Sequence, residues 1–172
     1  MTPYWLLFLL PASMALSPIK GDKTVNSIPW AIVGLLCTLM IGLRYQVGGD
    51  WGNYIEYLDL ARPRDFSIGD TLLVSWGNAT GYMLLNWIVV QLGLGMYAVN
   101  LFCAAIFTFG LMKYCRKQPM PWVALAAAVP YMVYGVAMGY TRQATALGFF
   151  LWGLSVLREG KEFKYFVLIL AA

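Results

Sequence analysis

The segment from Arg44 to Tyr54 brings together residue types that can act on a phosphate or a sugar. Arg44 carries a planar fork of donors that binds phosphate or carboxylate with two parallel hydrogen bonds. The paired glycines Gly48 and Gly49 permit unusual backbone angles and allow a ligand to approach closely. Asp50 follows them directly and is a candidate base, or an orienting acceptor, for an attacking hydroxyl. The alternative is a glycine-rich turn at a membrane surface, with Arg44 reaching lipid headgroups.

A second segment, residues 139–146, places Arg142 between two apolar stretches that almost touch. An arginine that faces lipid at depth costs about 2.5 kcal/mol or more, so Arg142 is expected to face a polar cavity or a partner. Tyr140 and Gln143 flank this arginine and are candidate substrate-binding residues. The alternative is an ordinary tight hairpin whose arginine reaches the membrane interface.

Aromatic residues recur at a spacing of three after the glycines, at Trp51, Tyr54 and Tyr57. This spacing lines one face if the segment is helical. Aromatic faces are good platforms for sugar rings, so these three residues are candidate substrate contacts. Anchoring at a membrane interface explains the same pattern equally well.

Several kinds of site are excluded by the composition. The chain has no histidine and only three cysteines, Cys37, Cys103 and Cys115, none in a CxxC pair. A zinc site is therefore not expected, and a disulfide framework has no support. Without histidine, a general base in this chain must be Asp, Glu, Tyr or Lys. We expect no metal, no cofactor and no nucleic-acid partner.

The elements that position these residues are predicted to be membrane helices. The chain has 172 residues, of which 60% are hydrophobic and 12% charged, with a mean hydropathy of +0.66. A soluble domain is usually about half apolar and a quarter charged. Lipid must therefore cover part of the apolar surface. The composition predicts an all-α fold, a polytopic integral membrane helical bundle.

The apolar stretches define the expected spans within a single transmembrane domain, 1–172. A bilayer core needs roughly 20 helical residues. The last stretch covers only about half a bilayer, which predicts the N-terminal part of a longer protein. The first stretch has no Lys or Arg before Lys20, which favours a membrane helix over a removed signal peptide. A kink is expected near Pro130. The predicted spans are about 3–16, 28–43, 94–112, 122–139 and 140–157, with the start of another at 163–172.

The lysines indicate the orientation, because all of them fall in three connections, near residues 20, 115 and 162. Basic connections face the cytoplasm, so the N-terminus is predicted outside. The alternation requires that 82–92 does not cross, which makes it a re-entrant or interfacial helix that ends at Gly93–Gly95. Residues 44–81 then form a large outer loop. Arg44, Asp50 and Arg142 are thereby predicted to share the outer side.

The two polar segments together resemble the EpsG family of bacterial exopolysaccharide biosynthesis, which is similar to Wzy-type O-antigen and capsule polymerases. The first motif, Arg-x-x-Val-Gly-x-Asp-x-x-x-Tyr, follows the early helices, and the second, Tyr-x-Arg-Gln-Ala, opens a later one. Where the family commonly has Gly-Thr-Asp, this chain has Gly-Gly-Asp. The matching residues are Arg44, Val47, Gly48, Asp50, Tyr54, Arg142, Gln143 and Ala144.

The resemblance implies a GT-C-like or Wzy-like membrane protein of the bacterial inner membrane, of which this chain is about half. Its role would be to join oligosaccharide repeat units carried on undecaprenyl pyrophosphate. Arg142 and Arg44 would stabilise the leaving pyrophosphate, and Asp50 would act on the attacking hydroxyl. Membrane lipid and other polysaccharide assembly proteins are the further partners implied. The alternatives are a transporter or flippase of the lipid-linked oligosaccharide and a non-catalytic membrane scaffold.

Overall fold

A computed structural model of the chain describes residues 2–17, 27–60 and 80–172. These residues form helices and contain no strand, which confirms the all-α prediction for this part of the chain. The helices are α1 (Thr2–Leu16), α2 (Ser27–Gly42), α3 (Trp51–Leu60), α4 (Thr80–Gln91), α5 (Met96–Arg116), α6 (Pro121–Ala128), a π-helical segment (Val129–Ala137), α7 (Thr141–Leu157) and α8 (Glu162–Leu170).

Glycine and proline set several of these boundaries. α4 ends where Gly93 adopts a φ of 69°, and the Gly93 N–H donates to the Val90 carbonyl at 2.9 Å. The next N–H, of Leu94, donates to the Val89 carbonyl at 3.0 Å. This pattern satisfies carbonyls at a helix end and requires a left-handed residue, which glycine adopts without strain. α6 begins with Pro121, whose fixed φ suits a first helical turn.

The backbone changes its helix type next to Pro130, where the sequence predicts a kink. From Val129 to Ala137 the helix is a π-helix, and the Met138 N–H still donates five residues back, to Val133, at 3.0 Å. Proline has no N–H and collides with the carbonyl four residues earlier, so a regular α-turn cannot pass through it. π-helical turns are rare and occur often at functional sites.

The centre of the fold is a close crossing of α5 and α7. A Cβ added to Gly110 would lie 2.0 Å from the carbonyl oxygen of Gly148. A Cβ added to Gly148 would lie 2.6 Å from the Cα of Phe107. Such contacts allow two helices to approach until their backbones touch, as small residues do in membrane helix pairs.

Two apolar clusters surround this crossing. The larger cluster joins α1, α2, α5, α6, the π-helical segment and α7, and includes Phe107, Leu111 and Val133. The smaller cluster packs α3 and α4 against the first turns of α5. Its buried members are Tyr54, Leu58, Tyr82, Val89, Val99 and Cys103.

One helix in the described ranges, α5, is long and apolar enough to cross a membrane by length and composition. Shorter apolar helices occur at Pro3–Leu16, Ser27–Gly42 and Pro121–Ala137. The predicted spans coincide with helices, but whether those helices cross a bilayer stays a prediction. The predicted outer loop 44–81 contains α3, and its residues 61–79 lie outside the described residues.

Candidate functional site

The two polar segments predicted from the sequence contact each other in the structure. The guanidinium group of Arg44 donates hydrogen bonds to the carbonyl of Ala137 and to the hydroxyl of Thr141. Gly48 has a φ of 104°, and a Cβ placed on it would lie 2.6 Å from the Met138 carbonyl oxygen. The exit from α2 therefore packs directly on the junction between the π-helical segment and α7.

Arg44 lies at the centre of a buried polar cluster, formed by Arg44, Asn100 and Thr141. The Arg44 residue is only 6% exposed, and its Nε–H has no partner among the described residues. The Thr141 hydroxyl also reaches the Asn100 side-chain oxygen at 3.5 Å, while the Asn100 amide nitrogen has no described partner. Burial lowers the pKa of Arg44 from its ordinary value. The hydrogen bonds of Arg44 join the exit from α2 to the start of α7. This side chain therefore positions α7.

A cavity of about 530 Å³ lies between α4, α5, α7 and the end of α8, where Leu170 and the two alanines after it line it. Arg142, Thr145 and Thr80 supply polar groups to its wall. Most of the remaining wall is apolar, and it includes Leu85, Phe102, Ile106 and Phe149. Arg142 is the basic residue in the described wall of this cavity. A cation on an otherwise apolar surface suits a molecule with an anionic head and a hydrocarbon tail.

Arg142 is held by an aromatic ring. Its guanidinium carbon lies 5.2 Å from the ring centroid of Tyr57 in α3, and that ring packs edge-on against Tyr82 at 6.2 Å. Tyr54 packs on Tyr82 at 5.6 Å and is buried, with a hydroxyl that has no described partner. An aromatic ring attracts a guanidinium group through its π-face without using the N–H groups as hydrogen-bond donors, so these stay available for an anion.

The other candidate residues lie elsewhere. The backbone carbonyl of Asp50 accepts a hydrogen bond from the Tyr54 N–H at 3.1 Å. The side-chain carboxylate of Asp50 accepts a long hydrogen bond of 3.4 Å from the Asn53 amide. Asp50 thus sits at the start of α3, where aspartate is a favoured helix cap. Trp51 packs against Tyr45 at 5.9 Å, away from the Tyr54–Tyr82 pair.

Tyr140 and Gln143 are both exposed and lie at the start of α7. The Tyr140 carbonyl accepts the Ala144 N–H at 2.9 Å, which is a helix-capping role. The residues that line the cavity do not include Tyr140 or Gln143. They also do not include Arg44, Asp50 or Trp51. The structure thus brings Arg142, Tyr54 and Tyr57 together, and it leaves Tyr140 and Gln143 on the surface.

Asn100 and Thr141 were missed by the sequence reasoning, although a signal for one of them was present. Asn100 is the amide side chain within the apolar stretch predicted to span the membrane at 94–112. Polar side chains inside such stretches usually bond to other helices. Thr141 carries no comparable signal, because it lies in a segment that is polar in any case.

A comparison with protein families matches residues 27–172 to the model described as EpsG family. The chain belongs to the EpsG family. The match covers α2 to α8, which include the buried polar cluster and the residues that line the cavity. Membership implies a role in exopolysaccharide biosynthesis, of the Wzy-like polymerase kind at family level, and suggests a membrane protein. Comparisons with curated proteins and with solved structures find no match.

We expect Gly48→Ala to destabilise this EpsG chain, whereas Gly49→Ala should be tolerated. A side chain at position 48 would have a positive φ and would collide with the Met138 and Gly139 carbonyls, while position 49 has no atom within 4 Å. Strain of this kind costs of order 1–3 kcal/mol. The check is the thermal unfolding midpoint of both variants in detergent micelles. Equal midpoints would show that the contact between the two segments is not required.

Proposed function

We propose that this chain is part of a polymerase that joins repeat units carried on undecaprenyl pyrophosphate, by glycosyl transfer at the outer face of the inner membrane. The observation that carries the proposal is Arg142, a half-buried cation on the wall of a largely apolar cavity. The proposal includes a polytopic membrane placement with the N-terminus outside. In a helical bundle the shorter apolar helices would cross beside α5.

The cavity fits the two chemically different parts of such a donor. The pyrophosphate would bind at Arg142, with the hydroxyl of Thr80 as a further donor from α4. The hydroxyl of Thr145 donates to the Thr141 carbonyl at 2.9 Å and is therefore already used. The polyprenyl chain would lie against Phe102, Ile106 and Phe149, which share that wall. Outside the wall, α3 supplies the Tyr57 ring that holds Arg142.

The proposed reaction is a displacement at an anomeric carbon. A hydroxyl oxygen of the acceptor unit forms a bond to that carbon, and the bond from the carbon to the pyrophosphate oxygen breaks. The electron pair of the broken bond stays on the pyrophosphate, where the Arg142 guanidinium stabilises the new charge. The hydroxyl proton passes to a base, for which Asp50 is the candidate.

Arg44 has a different part in this proposal from the one the family resemblance implies. Its bonds to Ala137 and Thr141 direct its N–H groups into the protein. It therefore fixes the start of α7, one residue before Arg142. Asp50 lies at the start of α3, and the same helix carries Tyr57, whose ring contacts Arg142.

The experiment replaces Asp50 by Asn and follows surface polysaccharide in cells. Loss of the base should leave single repeat units displayed on the outer face, with long chains reduced about 100-fold or more. Glu56→Gln is the matched control, because Glu56 is an exposed acid on the same helix. It should keep normal chain length.

The same assay separates the competing functions. A flippase would leave repeat units trapped on the inner face, since binding the pyrophosphate requires no bond cleavage. A scaffold would tolerate Asp50→Asn with chain length unchanged. Either result would overturn the proposed role of Asp50 in glycosyl transfer.

A further inference from the structure

A second cavity lies at the opposite ends of α5 and α7, remote in sequence from the polar cluster. It has a volume of about 410 Å³ and opens between these helices and α8. Lys113, Lys161 and Lys164 border it. The sequence predicts this end to be cytoplasmic. The exopolysaccharide chemistry proposed above does not use it.

Some of the charged side chains at this cavity form ion pairs and others do not. Glu159, the acid in its wall, accepts hydrogen bonds from Lys117 and, at 2.6 Å, from Lys161. These two ammonium groups hold the pKa of the Glu159 carboxyl near 2, so it remains an anion committed to them. Lys113 and Lys164 border the same space without a carboxylate partner in the described ranges.

Lys113 is oriented by an aromatic ring. Its ammonium nitrogen lies 5.1 Å from the centroid of Phe109, one turn earlier in α5. Phe109 in turn packs edge-on against Trp152 of α7, at 4.7 Å between ring centroids. Trp152 also lines the cavity, so the cation is placed at the rim of an aromatic wall.

The rest of the wall is apolar and comes largely from α8. No residue of α8 is buried, and Val167 is 50% exposed on the cavity side. Leu168 continues the same wall further along the helix. The cavity therefore combines two unpaired lysines at its rim with a hydrocarbon surface below them.

We propose that this cavity binds one anionic glycerophospholipid of the inner leaflet. Its phosphate would lie between Lys113 and Lys164, and an acyl chain would lie along Trp152, Val167 and Leu168. The charge complementarity argues for an anionic headgroup, and the apolar wall argues for a lipid over a soluble phosphate. The inference rests on the membrane placement within the proposed function, and it is independent of glycosyl transfer.

The test measures lipid binding to the purified full protein by native mass spectrometry. Phosphatidylglycerol should bind more tightly than phosphatidylcholine, and Lys113→Gln with Lys164→Gln should remove that preference. Each lysine near an anionic lipid is worth about fivefold in affinity, so the double variant should lose about 25-fold. Glycerol phosphate, which has the head without the chains, should not compete.

Arg116→Gln is the matched control for charge. Arg116 sits on the same end of α5 but lies over the ring of Trp30, 5.6 Å from its centroid, facing away from the cavity. It should retain the lipid preference. Val167→Trp, which fills the cavity without changing charge, should weaken phosphatidylglycerol binding about tenfold.

Three results would overturn the site. They are equal binding of the two lipids by the unchanged protein, loss of the lipid preference in Arg116→Gln as in the double lysine variant, and full binding in the Val167→Trp variant. Failure of the polymerase proposal would appear in the chain-length assay and would leave these binding results unchanged. Failure of the lipid site would likewise leave the chain-length results unchanged.

Discussion

Arg142→Ala is expected to reduce polymer formation about 100-fold or more while the protein still accumulates in the membrane. Arg142 is the cation on the described wall of the 530 Å³ cavity, and it is half-buried, so its loss does not empty the core. Removal of one group that stabilises developing negative charge commonly costs a factor of about 10² to 10³. The measurement is the length distribution and amount of surface polysaccharide, normalised to the amount of protein.

Two further variants sharpen this prediction. Arg142→Lys keeps the charge but loses the planar fork that binds phosphate with two bonds, so intermediate activity is expected. Arg116→Ala removes a cation at the other end of α5, over Trp30, and should leave polymer length unchanged. Normal polymer from Arg142→Ala would remove this arginine from the proposed chemistry.

Gly148→Ala is expected to have a large effect on folding. The added Cβ would lie 2.6 Å from the Phe107 Cα and 2.8 Å from the Ile106 carbonyl oxygen, so backbone atoms must move apart. Overpacking costs typically 1–3 kcal/mol where side chains can shift, and here they cannot, so we expect about 3 kcal/mol or more. The measurement is the thermal unfolding midpoint in detergent micelles, together with the yield.

Gly153→Ala is the control on the same helix. A Cβ at Gly153 would meet only side chains, with the Tyr165 ring at 3.3 Å and the Ile169 methyl at 3.5 Å. Side-chain ends can give way, and alanine favours the helix by up to about 1 kcal/mol over glycine. Its midpoint should therefore stay close to that of the unchanged protein. Equal loss at both positions would contradict a special role for the α5–α7 crossing.

Much of the helix content follows from local patterns in the sequence. Apolar stretches bounded by Gly93 and Pro121 predict helices because these two residues have fixed backbone consequences wherever they occur. The π-helical segment after Ala128 was not predicted. A proline signals that the α-helix is disturbed, but the neighbouring packing decides whether the result is a kink or a wider turn.

The candidate site was less accessible from the sequence. The charge pattern predicts that Arg44 and Arg142 share a side, but the bond from Arg44 to Ala137 joins residues 93 positions apart. No local pattern encodes such a contact, because it depends on how whole helices pack. The sequence therefore indicates residues of the right chemistry and leaves open which of them face the cavity. Arg142 faces the cavity, while Arg44 faces the protein interior.

The division into two apolar clusters has a consequence for the proposed function, in which the cavity must admit a large lipid-linked saccharide. Two of the cavity walls, α5 and α7, are in backbone contact at Gly110 and Gly148, so close packing fixes their relative position. A further wall, α4, packs with α3 in the smaller cluster, and the end of α8 completes the lining. Induced fit around a bulky saccharide head would therefore be a displacement of the α3–α4 pair. Since that pair carries Tyr57, the same displacement would move the ring away from the Arg142 guanidinium and release this side chain.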